Sequence, residues 1–150
     1  MFIGTYEHNL DDKGRVSLPA RFRELLVSNG DPRLILTTNV DATARCLVAY
    51  PVSEWQGFQQ RISDLPQFDE NVIRLKRLHI AGAAECTVDR QGRILVPPLH
   101  RDYANLGGSV IFAGLGSYIE VWDRGLWFEE RERAKSALPS INDALARLGL

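Results

Sequence analysis

An internal repeat spans most of this chain and restricts its possible folds more than any other feature of the sequence. The segment LDDKGRVSLP at positions 10–19 aligns without a gap with VDRQGRILVP at positions 88–97. Four aligned pairs are identical, and three more are apolar in both segments. The identical pairs are Asp11 with Asp89, Gly14 with Gly92, Arg15 with Arg93, and Pro19 with Pro97. The chain is therefore predicted to contain two copies of one unit.

The two copies are predicted to cover residues 1–67 and 80–139 of the 150 residues. The segment 68–79 between them is predicted to be a connecting helix, and 140–150 is a C-terminal tail that forms a last short helix. Neither copy is long enough for a comfortable core of its own, and an isolated hairpin is only marginally stable in water. We therefore expect both copies to share one core.

Each copy is predicted to contain a strand, a tight turn, a second strand, a short helix, a second hairpin and a closing helix. The Asp-x-x-Gly pattern favours the tight turn, because glycine readily adopts the positive φ that such a turn requires. A proline after the second strand suits the first turn of a helix, which predicts helices at 20–26 and 98–103. Runs with β character predict strands at 34–38 and 109–113.

Two longer segments, 68–79 and 124–138, have the apolar spacing of amphipathic helices. Their buried face is expected to consist of Leu75, Leu78, Leu126, Trp127, Ala134 and Leu138. Together the elements predict an α+β fold that is mainly β, with hairpins of both copies interleaved into one small pseudo-twofold barrel and helices at its periphery. Such interleaving would satisfy the strand edges and present the two Asp-x-x-x-Arg turns together.

Charge is distributed unevenly along the chain. The formal net charge of −1 argues weakly against nucleic-acid binding. Residues 71–101, however, contain six Lys or Arg and two Asp or Glu, whereas residues 102–150 contain five and seven. A local positive potential is therefore compatible with a nearly neutral protein. A solvated charged helix around Arg74, Lys76 and Arg77 explains three of these charges equally well.

The motifs give no support to several functional classes. Cys46 and Cys86 stand alone, without a CxxC or Cys/His pairing, so we expect buried reduced thiols, no disulfide and no metal site. His8, His79 and His100 lie in unrelated contexts without a catalytic or phosphate-loop motif, so we expect neither an enzyme nor a cofactor and name no catalytic residue. No apolar run approaches the roughly 20 residues of a bilayer span, and the N-terminal MFIG lacks a basic signal region, which predicts a cytoplasmic protein without membrane contact.

The duplicated Asp-x-x-Gly-Arg pattern, followed each time by small apolar residues and proline, occurs in a chain that begins MFIGTY. In these features the sequence resembles the MraZ family over nearly its whole length. The resemblance implies the swapped-hairpin, double-psi-like barrel of AbrB-type proteins, doubled within one polypeptide. It also implies a DNA-binding transcriptional regulator, usually a repressor, of the division and cell-wall gene cluster and its own operon, acting at direct repeats in the promoter. The implied protein is nucleoid-associated and forms a homo-oligomeric ring of about eight or more subunits.

The resemblance assigns DNA contact to the basic residues of the two turns. The implied DNA-binding residues are Lys13, Arg15, Arg90 and Arg93. The implied turn and orienting residues are Asp11, Gly14, Asp89 and Gly92. An Asp four residues before an Arg can accept hydrogen bonds from turn amides and brace the guanidinium, whose planar fork can engage phosphate or guanine bidentately. A plain cross-turn ion pair is the alternative for an isolated Asp-x-x-x-Arg.

The two turns differ at their tips, where Arg90 and Gln91 replace the Asp-Lys pair of the first turn. We therefore expect Lys13 and Arg15 to dominate DNA affinity, with the second turn assisting. Three arginines of the short helices are interpreted as surface or subunit contacts: Arg21, Arg23 and Arg101. A protein-interaction scaffold that forms the same ring without DNA is the alternative function, and the near-neutral charge suits it.

Overall fold

Eight strands and six α-helices make up the fold within the residues that the computed structural model describes, 1–41 and 43–150. The strands are β1 (Phe2–Asn9), β2 (Arg15–Ser17), β3 (Arg33–Thr38), β4 (Leu47–Pro51), β5 (Ala84–Thr87), β6 (Arg93–Leu95), β7 (Ser109–Gly116) and β8 (Ile119–Asp123). The α-helices are α1 (Ala20–Ser28), α2 (Val52–Ser63), α3 (Glu70–Leu75), α4 (Pro98–Ala104), α5 (Arg124–Ser136) and α6 (Leu138–Arg147). A π-helical turn, Lys76–Ile80, follows α3.

The two repeats contain the same elements in the same order. The first repeat runs β1, β2, α1, β3, β4, α2, and the second runs β5, β6, α4, β7, β8, α5, which confirms the predicted order. Helices α1 and α4 begin directly after Pro19 and Pro97, whose φ values are −51° and −60°. Because the proline ring holds φ near the helical value, each helix begins where the sequence predicts.

Strands of the two repeats are combined in two antiparallel sheets. The larger sheet has the order β1-β7-β8-β4-β3-β5, and the smaller sheet is a ribbon of β2 and β6. The strands on either side of each turn pair with the other repeat: β1 with β7, β5 with β3, and β2 with β6. Exchanging equivalent strands of the two repeats gives the same order read backwards, so the pairing has pseudo-twofold symmetry. The Asp-x-x-Gly turns thus connect the larger sheet to the ribbon instead of closing local hairpins.

An apolar cluster lies between the ribbon and the larger sheet. Val16 and Ile94 pair with each other at the centre of the ribbon, and each is 1% exposed. They belong to the same buried cluster as Leu36 of β3, Phe112 of β7 and Phe22 of α1. Both repeats therefore contribute side chains to one buried cluster.

The fold is α+β, but the expectation that it is mainly β is wrong. Within the described residues, helices cover more positions than strands do. At the C-terminus, where a helix over 124–138 and a last short helix in the tail 140–150 are predicted, the structure has α5 and α6, which meet at Ala137. The break places a second amphipathic helix after the last strand.

Helix α5 has no fully buried residue and contacts the interior near its start. Leu126 and Trp127 pack against a second apolar cluster that contains Trp122. Ala134 and Leu138, by contrast, are exposed. Their predicted burial is wrong because the sheet supports only the first turns of α5, and the spacing of apolar residues alone does not reveal where that support ends.

The connecting segment also differs from its prediction. Helix α3 changes into a π-helical turn after Leu75, which is only half-buried. Val72 and His79 face the interior, whereas Leu78, expected in the core, is 70% exposed. A π turn contains more residues than an α turn, so it rotates the side chains that follow away from the α-helical spacing assumed in the prediction.

Both cysteines are buried, as expected, and both are free thiols. Burial raises the pKa of the Cys46 thiol to about 12 and that of the Cys86 thiol to about 11. The thiolate is the reactive form of cysteine. The two side chains therefore act as small apolar groups of the interior at neutral pH.

Candidate nucleic-acid interface

The first turn, residues 11–14, is organised by the Asp11 carboxylate. Its Oδ1 accepts hydrogen bonds from the backbone N–H of Lys13 at 2.9 Å and of Arg15 at 2.8 Å. Its Oδ2 accepts a hydrogen bond from Arg15 Nε at 2.9 Å. Gly14 has a φ of +86°, as the Asp-x-x-Gly pattern predicts. One carboxylate thus fixes both the backbone of the turn and the direction of the Arg15 guanidinium.

The second turn, residues 89–92, repeats this arrangement with a looser ion pair. Asp89 Oδ1 accepts hydrogen bonds from the backbone N–H of Gln91 at 2.8 Å and of Arg93 at 2.9 Å. Arg93 Nε lies 3.4 Å from Asp89 Oδ2, and Arg93 Nη2 donates to the side-chain oxygen of Gln91. Gly92 has a φ of +78°. The Arg93 side chain therefore has more partners within the protein than the Arg15 side chain has.

The ribbon brings the two turns to one surface. Val16 and Ile94 point into the core, so their neighbours Arg15 and Arg93 point outward, because successive side chains of a strand face opposite sides. Arg93 Nη1 also lies 3.8 Å from Asp11 Oδ2. The Asp11 carboxylate is consequently close to both arginines and links the two turns.

Hydrogen bonding stabilises the charged form of both turn carboxylates. The backbone N–H of Arg15 is the main cause of a lowered pKa at Asp11, and the Arg15 side chain and the Lys13 N–H lower it further. The backbone N–H of Arg93 likewise lowers the pKa of Asp89. Bonds that a carboxylate accepts favour its ionised form, so both groups remain negative at neutral pH.

Four basic side chains belong to the two turns or directly follow them, and we call them the basic face: Lys13, Arg15, Arg90 and Arg93. Lys13 and Arg90 are exposed near the tips of the turns. The side chain of Arg15 is 36% exposed and that of Arg93 is 27% exposed. Among the described residues the Arg15 guanidinium is bound only through Nε, which leaves its two terminal nitrogens able to donate to a ligand.

Arg23 and Arg101 are half-buried and lie against the turns, a contact within the chain that their interpretation as surface or subunit contacts did not include. A Cβ built on Gly14 would lie 2.8 Å from Cζ of Arg101, and one built on Gly92 would lie 2.8 Å from Cζ of Arg23. Each arginine therefore packs on the turn of the other repeat. In both repeats the arginine follows the turn glycine at the same separation in the sequence, and this shared spacing could have indicated an equivalent role. Arg21, in contrast, is exposed as expected.

Other kinds of site are not apparent in the described part of the chain. No three or more His, Cys, Asp or Glu side chains in residues 1–41 and 43–150 are grouped to hold a metal ion. Within the same ranges, every helix is too short or too polar to span a bilayer.

Comparison with known proteins gives matches over both halves of the chain. The family model described as "MraZ protein, putative antitoxin-like" matches residues 1–78 and 79–148. A protein of Thioalkalivibrio sulfidiphilus named "Transcriptional regulator MraZ" is 42% identical over 132 residues, which are 88% of this chain and 86% of that protein. Proteins of the same name from Desulfitobacterium hafniense strain Y51 and Acetivibrio thermocellus are 37% and 39% identical over 150 residues, 100% of both chains in each case.

Proposed function

Since this chain belongs to the MraZ family, we propose that it is a transcriptional regulator that binds double-stranded promoter DNA through its basic face. One observation carries the proposal: two equivalent Asp-x-x-x-Arg turns from different repeats meet on one ribbon and share the Asp11 carboxylate. Duplex DNA presents phosphates at regular intervals along both strands. Two adjacent basic turns suit such a ligand better than a small molecule.

Arg15 is the strongest candidate for direct contact with DNA. Asp11 holds its Nε and so sets the direction in which the guanidinium points. The free terminal nitrogens can engage a phosphate, or O6 and N7 of a guanine, in a bidentate manner. Lys13 and Arg90 lie near the tips, where they can contact phosphates that position the protein without reading sequence. Arg93, which has more internal partners, is expected to assist.

We infer that the ribbon and the larger sheet together form the swapped-hairpin barrel of AbrB type. Three pairings between repeats support this inference: β1 with β7, β5 with β3, and β2 with β6. The apolar cluster between the two sheets also supports it. In such a barrel the two turns occupy one end, and neither repeat forms its DNA-binding end alone.

The proposed targets are direct repeats in the promoter of the division and cell-wall gene cluster, including the operon that encodes this protein. The proposed output is repression, in a cytoplasmic protein associated with the nucleoid. The family resemblance of the sequence supports these assignments, and the geometry of the turns is compatible with them. Repression by a protein bound at a promoter requires only occupancy of the site.

We propose further that protomers form a ring of about eight or more copies. One pair of turns can touch only a few base pairs, so several protomers must bind together for high affinity. Exposed apolar side chains on α6 and directly after it support an assembly surface: Leu138 at 50%, Ile141 at 36% and Leu148 at 81% exposure. In a head-to-tail ring, successive protomers have the same orientation, which suits direct DNA repeats.

Binding to the protein's own upstream promoter tests the proposal. We expect wild-type protein to prefer this fragment over a scrambled fragment of equal length, and to lose affinity as salt is raised because bound phosphates release counterions. Arg15→Ala should weaken promoter binding by about tenfold or more, and Arg93→Ala should weaken it less. Arg131→Ala, which removes one positive charge from the exposed side of α5, is the matched control and should bind like wild type.

Equal affinity for both fragments, or an Arg15→Ala protein that binds like wild type, would contradict DNA recognition by the basic face. If rings nevertheless form under these conditions, the interaction scaffold becomes the better assignment, which the net charge of −1 also suits.

A further inference from the structure

The backbone of each turn glycine is bonded to the other repeat. The carbonyl oxygen of Gly14 accepts a hydrogen bond from the backbone N–H of Val96 at 2.8 Å, and that of Gly92 accepts one from the N–H of Leu18 at 2.9 Å. Val96 and Leu18 directly follow the ribbon strands. Each turn is therefore held at its glycine by the chain segment that leads into the opposite short helix.

The same short helices supply the arginines that cover the glycines. Arg101 of α4 meets Gly14 with Cζ, Nε and Nη1 at 2.8, 3.0 and 3.0 Å from the position of an added Cβ. Arg23 of α1 meets Gly92 in the same way, with these atoms at 2.8, 3.0 and 2.8 Å. Nearly equal distances to three guanidinium atoms mean that the group approaches the glycine with its flat face. A planar side chain thus occupies the space that a Cβ would need.

Packing alone does not account for a guanidinium in these positions. Arg23 donates through Nη1 to the carbonyl oxygen of Leu18, but Nε of Arg101 is buried without an acceptor among the described residues. A buried donor that lacks an acceptor destabilises the folded state, and an aliphatic side chain would fill the space without that cost. The ion pairs of the turns involve Arg15 and Arg93 but neither of these two arginines.

Building on the proposed DNA-binding function, we propose that Arg101 and Arg23 are positioning residues that act across the repeats. Arg101 holds the turn that carries Arg15, and Arg23 holds the turn that carries Arg93. The flat guanidinium and the glycine carbonyl bond fix each turn from two sides, so the outward arginine keeps one direction before DNA arrives. Preorganisation of this kind raises affinity, because less freedom is lost on binding.

A double-mutant cycle on the full-length protein distinguishes this arrangement from two independent contributions. The dissociation constant is measured for the upstream promoter fragment. Arg101→Ala should weaken binding by about tenfold in the wild-type background but by less than about twofold in an Arg15→Ala background, because the side chain that it positions is already absent. In an Arg93→Ala background the tenfold effect should persist.

Arg23→Ala should show the reverse pattern, with its effect lost in the Arg93→Ala background and kept in the Arg15→Ala background. Arg21→Ala is the matched control, because it removes the same charge from the exposed side of α1, and it should bind like wild type. Thermal unfolding of every variant separates loss of fold from loss of position. If an alanine variant does not fold, the lysine variant, which fills the space and keeps the charge, enters the same cycle.

Arg101→Lys also tests the planar contact. It should recover less than half of the loss in affinity, measured on a logarithmic scale, and full recovery would show that charge alone suffices and would overturn the proposal. The proposal is also overturned if Arg101→Ala weakens DNA binding by the same factor in the Arg15→Ala background as in the Arg93→Ala background. If wild-type protein does not prefer promoter DNA, the proposed function fails, whereas a preference without this pattern of coupling rejects only the positioning role.

Discussion

Asp11 contacts more of the basic face than its counterpart Asp89 does. Asp11 binds Arg15 at 2.9 Å and lies 3.8 Å from Arg93. Within residues 1–41 and 43–150, Asp89 forms an ion pair only with Arg93, at 3.4 Å. The two aligned residues, identical in the sequence, thus have unequal tasks, and only the three-dimensional arrangement of the turns reveals the difference.

We predict that Asp11→Asn weakens promoter binding more than Asp89→Asn. The amide can still accept hydrogen bonds from the turn, but it no longer attracts either guanidinium, so both outward arginines lose a fixed direction. Titration of the promoter fragment with each variant measures the difference, and the expected loss for Asp11→Asn is about tenfold. Similar losses for both variants would show that the contact between the turns has no consequence.

His79 is a second residue whose surroundings predict a measurable effect. Its ring lies 4.7 Å from that of Phe58 and 5.8 Å from that of Trp55, is 1% exposed, and has no hydrogen-bond partner for either nitrogen within the described residues. Burial lowers its pKa from the ordinary value of 6.5, although a backbone contact with Thr38 partly opposes this. The unfolded state therefore binds the proton more readily than the folded state.

Because the folded pKa is lowered, the stability that neutral His79 contributes is present above pH 6.5 and is lost as pH falls below it. We predict that the melting temperature of wild-type protein decreases between pH 7 and pH 5, and that His79→Phe shows a smaller decrease because phenylalanine does not titrate. Differential scanning calorimetry at both pH values measures this. Identical decreases in the two proteins would show that another group controls the response.

At the scale of the elements, β1 and β7 pair closely at Gly114. A Cβ on Gly114 would lie 2.5 Å from the carbonyl carbon of Phe2 and 2.7 Å from the backbone N of Ile3. Backbone atoms in a paired strand cannot move aside as the end of a side chain can. The absence of a side chain at Gly114 is therefore a condition for pairing the two strands.

We predict that Gly114→Ala destabilises the protein by about 1–3 kcal/mol, the usual effect of overpacking. Gly108→Ala is the matched control, since an added Cβ there meets nothing within 4 Å, and its effect should stay within about 0.5 kcal/mol. Urea unfolding measures both values. Equal free energies of unfolding for the two variants would indicate that β1 moves to accommodate the added Cβ without loss of stability.

At the scale of the whole molecule, α6 is a helix without a buried residue of its own. Leu138 and Ile141 of this helix and Leu148 directly after it follow helical spacing. We predict that the double substitution Ile141→Glu and Leu148→Glu lowers the mass of the assembly and leaves the melting temperature of the protomer nearly unchanged. Light scattering measures the mass, with Asn142→Glu as control on the same helix. An unchanged mass would place the assembly surface elsewhere.

The sequence predicts the order of elements and the position of both turns, because these depend on local features such as Gly14, Gly92, Pro19 and Pro97. It does not predict which strands pair, since a turn pattern constrains φ and not the partner of the strand that follows. The contacts of Arg23 and Arg101 depend on that pairing and were missed for this reason. Likewise, the exposure of Leu78 results from the π-helical turn, which no local motif announces.

The exchange of strands between the repeats also determines when the protein can fold during its synthesis. Phe2 pairs with Gly116, and Asn9 pairs with Ser109. A nascent chain that ends before residue 109 therefore carries β1 without its partner strand, and the first half of the protein leaves the ribosome unable to close its sheet. Pairing over such sequence separations slows folding, and unpaired strand edges favour aggregation. The core closes only after the β7 segment, residues 109–116, has been synthesised, so the earlier half depends on the later one for its protection.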